Sequence, residues 1–156
     1  MAYNEFAQDS TVTYTPRNYG ELHITATATT VIAVAGTYVK MAGTTTLDSA
    51  LNFSASGNNR LVCNSLVTSN YFLSLSVSMQ TTSSNQTLAM RIYKNGVAET
   101  SSTMTTRAET ANTPCLLSLN QIINLATNDY IEIWVTNITA SNNITAINAT
   151  LTLLEI

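Results

Sequence analysis

His23 is the only histidine in the 156-residue sequence, and Cys63 and Cys115 are the only cysteines. A Ser-His-Asp triad, a Cys-His pair or a multi-histidine metal site would all have to pass through His23. It stands in "ELHITATA" (21–28), where Leu22, Ile24 and Ala26 alternate with His23, Thr25 and Thr27. That position reads as an exposed or hydrogen-bonded residue of a strand. The nine carboxylates run from Glu5 to Glu155 without the dense acidic loop of a calcium site. No spacing singles out two of them as a glycosidase pair, and no glycine-rich phosphate loop or nucleophile elbow occurs. The expectation is a non-enzymatic protein with no catalytic residue, no metal site and no cofactor. A β-sandwich enzyme acting on carbohydrate would need a carboxylate pair or an aromatic cleft that the sequence does not display.

The cysteines lie in "RLVCNSL" and "TPCLLSL", both apolar stretches of strand character. The N-terminus "MAYNEFAQDS" has no basic start and no apolar core, so it does not read as a secretory signal. Cys63 and Cys115 are therefore expected as buried thiols acting as small hydrophobes rather than as a disulfide. Five Asn-x-Ser/Thr triplets, at 52, 85, 137, 143 and 148, follow from an Asn- and Thr-rich composition and are read as silent. Aromatic residues are more pointed. Tyr3, Phe6, Tyr14 and Tyr19 place four of the chain's eleven aromatics in residues 1–19, a stretch that does not alternate and contains Pro16. Either they pack back on the domain or they dock on a partner, since aromatics dominate interface energetics.

The elements that must carry these residues are strands. Charged residues are 10% of the chain, against a usual share of about 25%, and 27 Thr, 17 Asn and 15 Ser carry the solubility instead. Thr, Val and Ile favour a pleated, half-buried surface. A net charge of −3 leaves no basic footprint for nucleic acid, and runs such as "TTVIAVAG" are too short to cross a bilayer. In "YFLSLSVSMQTTSSNQTLAMRIYKNG" (71–96), Tyr71, Leu73, Leu75, Val77 and Met79 alternate with serines and Gln80. After a polar turn, Leu88, Met90 and Ile92 alternate in turn, so the stretch reads as two ribbons joined by that turn. Asn95-Gly96 then marks a tight turn.

Further strands are expected in "TTVIAVAGTYVKMAG" (29–43), "RLVCNSLV", "TPCLLSLNQIINLA" (113–126), "DYIEIWVTNIT" (129–139) and "ITAINATLTLLEI" (144–156). The polar stretch between Val97 and Asn112 reads as a looser segment or an edge strand. The last strand is apolar enough to be central in a sheet rather than an exposed edge. In it Ile147, Leu151 and Leu153 are expected on one side and Ile144, Leu154 and Ile156 on the other. Trp134 shares a face with Tyr130 and Glu132, opposite Ile131, Ile133 and Val135, so both faces of that strand need cover. Eight to ten short strands without a helix predict a single all-β domain, residues 20–156, preceded by an N-terminal arm, residues 1–19.

The segment "LATNDYIEIWVTNITASNNITAINATLTLLEI" resembles the closing strands of the C1q/TNF-like jelly rolls, with Leu125, Asp129, Tyr130, Ile131, Ile133 and Val135 in the places of that family's pattern and Asn128 where it usually has Gly. Tyr71, Leu88, Met90, Ile92, Lys94, Asn95 and Gly96 match the family's central hairpin. The resemblance covers roughly residues 21–156. It implies an antiparallel jelly-roll β-sandwich that forms a homotrimer by burying apolar sheet edges around a threefold axis. The Thr-, Asn- and Ser-rich version looks most like virion structural proteins of tailed bacteriophages, which implies a capsid decoration (cement) protein or head fibre bound to the major capsid protein. The chain would then be made in the host cytoplasm and reside on the virion capsid surface, with no nucleic-acid or membrane partner. Tyr3, Phe6, Tyr14 and Tyr19 would be the anchors of a capsid-docking arm. The alternative is a receptor-binding tip that recognises a host surface glycan through loops 54–59, 81–86 and 100–112.

Overall fold

Alternation of apolar and hydroxyl side chains gives a strand one dry and one wet face. In the computed structural model, which describes residues 16–57 and 59–156, β7 (Ser69–Thr81) buries Tyr71, Leu73, Leu75, Val77 and Met79 completely. On one side it pairs with β11 (Cys115–Leu125) and on the other with β13 (Ile144–Glu155). Beyond β13 lie β1 (Tyr19–Thr27) and then β4 (Gly43–Leu51). The short β2 (Thr29–Thr30) continues the line of β1 along β13. These strands form sheet A, and the last strand in chain order is central in it, as its apolar character predicts.

Sheet B runs β10 (Met104–Ala108), β8 (Gln86–Lys94), β12 (Tyr130–Asn137), β6 (Arg60–Cys63) and β5 (Phe53–Ala55). Two short pieces, β3 (Val39–Lys40) and β9 (Val97–Ala98), pair with β12 and β8. All pairings are antiparallel, and among the described residues the one helical piece is the three-residue 3-10 turn Thr100–Ser102. The two inner faces meet in one core of Leu, Ile, Val and Met, with Leu88, Met90, Ile92, Ile131, Ile133 and Val135 entering from sheet B. The result is the antiparallel jelly-roll β-sandwich that the sequence predicts. At one end the sheets come so close that β1 must offer Gly20, where an added Cβ would lie 2.7 Å from the Cβ of Phe53. The Phe53 ring in turn meets Tyr71 edge-on at 5.3 Å.

Several local readings change. The ribbons 71–80 and 86–94 are not a hairpin, because β7 already has β11 and β13 on its two edges, so β8 crosses to the other sheet. Asn85, at φ 57°, sits in the turn that makes the crossing. Residues 29–43 form no continuous strand, since this segment also passes from sheet A to sheet B. It turns at Gly36 (φ 78°), buries Ile32 and Met41 and leaves Val31 and Val34 exposed. In β13 a bulge between Ala146 and Asn148 shifts the parity, so Ile144 points inward with Leu151 and Leu153 rather than outward with Leu154. The Asn95-Gly96 turn forms as expected, both residues at positive φ. Asn128, at φ 68°, takes the left-handed position that a glycine usually fills.

Candidate functional site

The wet face of sheet A carries a row that is not wet. Ile122 of β11 pairs with Phe72 of β7, Phe72 with Leu154 of β13, and Leu154 with Tyr19 of β1. Directly paired residues point to the same side, so four large apolar side chains cross four strands in one line. They are 64%, 41%, 45% and 37% exposed, respectively. Leu51 of β4, opposite Tyr19, extends the row. Scattered single apolar residues need no explanation, but a contiguous exposed row does.

Behind that row the face is neutral. Ser74, Ser76, Ser78 and Gln80 of β7 stand beside Asn120, Ser118 and Leu116 of β11 and beside Thr152, Thr150, Asn148 and Thr145 of β13. None of these is charged; the first carboxylate and the imidazole on the face are Glu21 and His23, on β1. Hydroxyls and amides lose less on burial than charges do, and two copies can satisfy each other's hydrogen bonds. This face is chemically fit for contact with a second protein surface.

Its border is β11, whose far edge carries no strand among the described residues. Over eleven paired positions β11 has no charge, no proline and no bulge, the features by which natural edge strands resist association. A cleft of about 710 Å3 lined by Lys94, Glu99, Met104 and residues 118–124 of β11 runs along this edge. Leu116 is 63% exposed near its start.

Residues 16–18 lie at the same end of the sandwich as the apolar row. Arg17 donates from Nη1 to the Glu155 carbonyl at 3.3 Å, and the Asn18 amide donates to Glu155 Oε2 at 2.9 Å. The Asn18 amide comes first among the hydrogen bonds and charges that hold the Glu155 carboxyl below the usual carboxylate range, followed by Ser69 and the nearby Arg17. The Asn18 side chain reaches inward to Ser65 Oγ and accepts from Asn52 Nδ2. Of the expected arm anchors, Tyr3, Phe6 and Tyr14 lie outside the described residues. Tyr19 belongs to β1 and to the exposed row.

The remaining candidates are structural. His23 lies half-buried on β1 opposite Thr150 and Thr46. Cys63 and Cys115 are both free. Cys63 is buried 3.8 Å from the Tyr71 hydroxyl, and burial, then the neighbouring thiol, push that phenol up to about 12. Among the described residues no three His, Cys, Asp or Glu side chains form a metal-like group.

Sequence reasoning missed the buried carboxylate of sheet B. Glu132 is 3% exposed and accepts from Lys40 Nζ at 2.8 Å, Arg60 Nε at 2.9 Å and Nη2 at 2.8 Å, and Trp134 Nε1 at 3.2 Å. Burial alone would raise its pKa; the bonds from Lys40, Arg60 and Trp134 outweigh it and hold the carboxyl below the usual range. This knot supplies the cover that the Trp134 face needs from within the chain itself. The available signal was the alternation Tyr130, Glu132, Trp134, but the pairing with Lys40 and Arg60 spans 92 and 72 residues.

No protein-family model and no curated protein matches this sequence. The fold is similar to several solved structures. Murine APRIL is 13% identical, with a TM-score of 0.57 over 88% of this chain and 99% of that one. Eiger TNF from S. frugiperda is 9% identical, with a TM-score of 0.64 over 91% and 94%. The PRD1 vertex protein P5 is 14% identical, with a TM-score of 0.54 over 89% and 96%. At these identities the likeness is one of fold: the chain has a TNF-like jelly roll.

Proposed function

We propose that this jelly roll is a virion structural protein, a homotrimer that sits on a phage capsid as a decoration (cement) protein or head fibre. The observation that carries the reading is the outer face of sheet A, with its row of Ile122, Phe72, Leu154 and Tyr19, its uncharged rows behind, and β11 at its border, itself without charge or proline. Such a face calls for a partner without charge, and the uncharged β11 edge of a second copy is one, a contact between two different patches that can repeat around a threefold axis. The resemblance to the C1q/TNF-like jelly rolls favours threefold closure. One solved structure of similar fold is a vertex protein of the phage PRD1, which favours a virion setting. On the capsid the trimer would act by surface burial, bridging neighbouring copies of the major capsid protein and raising the cost of separating them. Tyr3, Phe6 and Tyr14 would supply the docking arm, and Arg17 and Asn18 would fix its root on Glu155.

Light scattering on a sizing column tests the assembly. A species near three times the 16.8 kDa chain mass is expected, and a stable monomer at micromolar concentration would overturn the trimer. Co-sedimentation with emptied phage capsids tests the setting. Removing residues 1–15 leaves Arg17 and Asn18 in place and should abolish capsid binding without changing the native mass. Capsid binding that survives the deletion would end the docking-arm assignment.

A further inference from the structure

Sheet B turns a different surface outward. Three of the chain's six cations and four of its eleven aromatic rings meet there. Strand register arranges the centre in two rows. Arg91, Trp134 and Lys40 lie side by side on β8, β12 and β3; Tyr93, Glu132 and Arg60 lie side by side on β8, β12 and β6. Tyr93 and Trp134 stack at 4.2 Å between ring centroids with 16° between their planes. The Arg91 guanidinium lies 4.2 Å from the Tyr38 ring centroid, and that of Arg60 lies 4.1 Å from the Tyr130 ring centroid.

A knot of ion pairs that merely covers the sheet would need fewer cations. Glu132 already takes both Lys40 and Arg60, and Arg91 has no carboxylate partner among the described residues. Arg91 is nonetheless held in one place, by Nε donating to Thr103 Oγ1 at 2.8 Å and by the Tyr38 ring. The face thus bears three fixed cations against one carboxylate, in a molecule of net charge −3. Arg91, Tyr93, Trp134, Glu132 and Arg60 stand on strands paired on both sides, which makes the centre of the constellation rigid. Its one free edge among the described residues is that of the two-residue β3, too short to take an extended peptide.

We propose that this face binds an acidic carbohydrate. A sugar ring has an apolar C–H face to lie against Trp134 and Tyr93, and hydroxyls for the surrounding donors. Its carboxylate or sulfate would take the free guanidinium nitrogens of Arg91, a planar fork suited to such groups. Arg91 and Lys40 are two strand spacings apart, about 10 Å, with Trp134 between them, which leaves room for more than one ring. Glu132 is a positioning residue: it holds Lys40, Arg60 and the indole edge and is itself too buried to meet the ligand. The groups that would meet the sugar, Arg91, Tyr93, Trp134 and Lys40, lie on strands rather than in loops 54–59, 81–86 or 100–112, and on the sheet opposite the assembly face, so the two can work independently.

Trp134 is the chain's only tryptophan, so its fluorescence reports on this site directly. The full-length protein is titrated with an oligosialic acid, a heparin-derived hexasaccharide, neutral maltohexaose and hexaglutamate. A saturable change is expected with the carboxylated or the sulfated oligosaccharide, whichever acid group fits, and none with maltohexaose. Arg91→Gln should weaken binding at least about tenfold, Arg91→Lys should give an intermediate loss, and added salt should weaken it further. Melting temperature and native mass check that the variants keep their fold and assembly. No saturable response to either acidic oligosaccharide would overturn the proposal. So would an equal response to hexaglutamate, or full affinity in a folded Arg91→Gln protein. A lost trimer with intact sugar binding would instead count against the assembly reading alone.

Discussion

Single side chains decide how closely the two sheets approach. Gly20 faces Phe53 at a distance that no Cβ can share, and Phe53 cannot retreat because Tyr71 meets its ring edge-on. Gly20→Ala should therefore lower stability by about 1–3 kcal/mol, the usual cost of overpacking a filled core. Chemical denaturation would measure it, and an unchanged midpoint would show that β5 moves aside freely. Buried asparagines have a comparable hold on the chain. The Asn59 side chain donates to the Met41 carbonyl and accepts from the Ile133 amide at 3.0 Å, tying the start of β6 to β12. Asn137 accepts from the Thr139 and Ala140 amides and donates to Gln86 Oε1 at 3.1 Å. An Asn-rich sequence marks such residues only as polar. Which of the seventeen asparagines are buried depends on where the chain folds back, and no local pattern reports that.

Among the elements, alternation was a reliable guide and pairing was not. Every inward residue expected from 71–79 and 88–92 is fully buried, because a period of two is a local property of a half-buried strand. The partner of a strand is a property of distant residues, so β7 and β8, neighbours in sequence, end in different sheets. A bulge is equally silent in sequence, and the one in β13 was enough to reverse the side assigned to Ile144. The exposed row was legible only in pieces: Phe72, Ile122 and Leu154 each break an otherwise polar or mixed pattern, but only the register joins them. β11 yields the prediction that belongs at this scale. Asn120→Lys puts a charge at an exposed position in the middle of the edge strand. If the face is buried in an oligomer, an unpaired charge there costs several kcal/mol, and the native mass should fall to that of one 16.8 kDa chain with the circular dichroism unchanged. An undisturbed oligomer would place the contact elsewhere.

For the whole molecule, the scarcity of charge on one sheet and its concentration on the other amount to a division of labour. The composition showed the scarcity; it did not show that Lys40, Arg60 and Arg91 would gather on one face, since they are spaced across fifty residues. An assembly held by hydroxyls, amides and apolar side chains has little for salt to screen. Its native mass should be the same in about 0.05 M and about 1 M sodium chloride, whereas carbohydrate binding on sheet B should weaken over that range; dissociation in high salt would mean that charges hold the copies together. The position of β13 has a consequence for how the molecule is made. β13, last in chain order among the described strands, fills the slot between β7 and β1. Until residue 155 has left the ribosome, those two have no one to pair with across the gap, and sheet A stays open. Closure of sheet A therefore waits for β13, and it is dominated by partners far apart in sequence and slow on that account. Until then the facing edges of β7 and β1 are open to a strand from another chain, and β13 is the element that closes both.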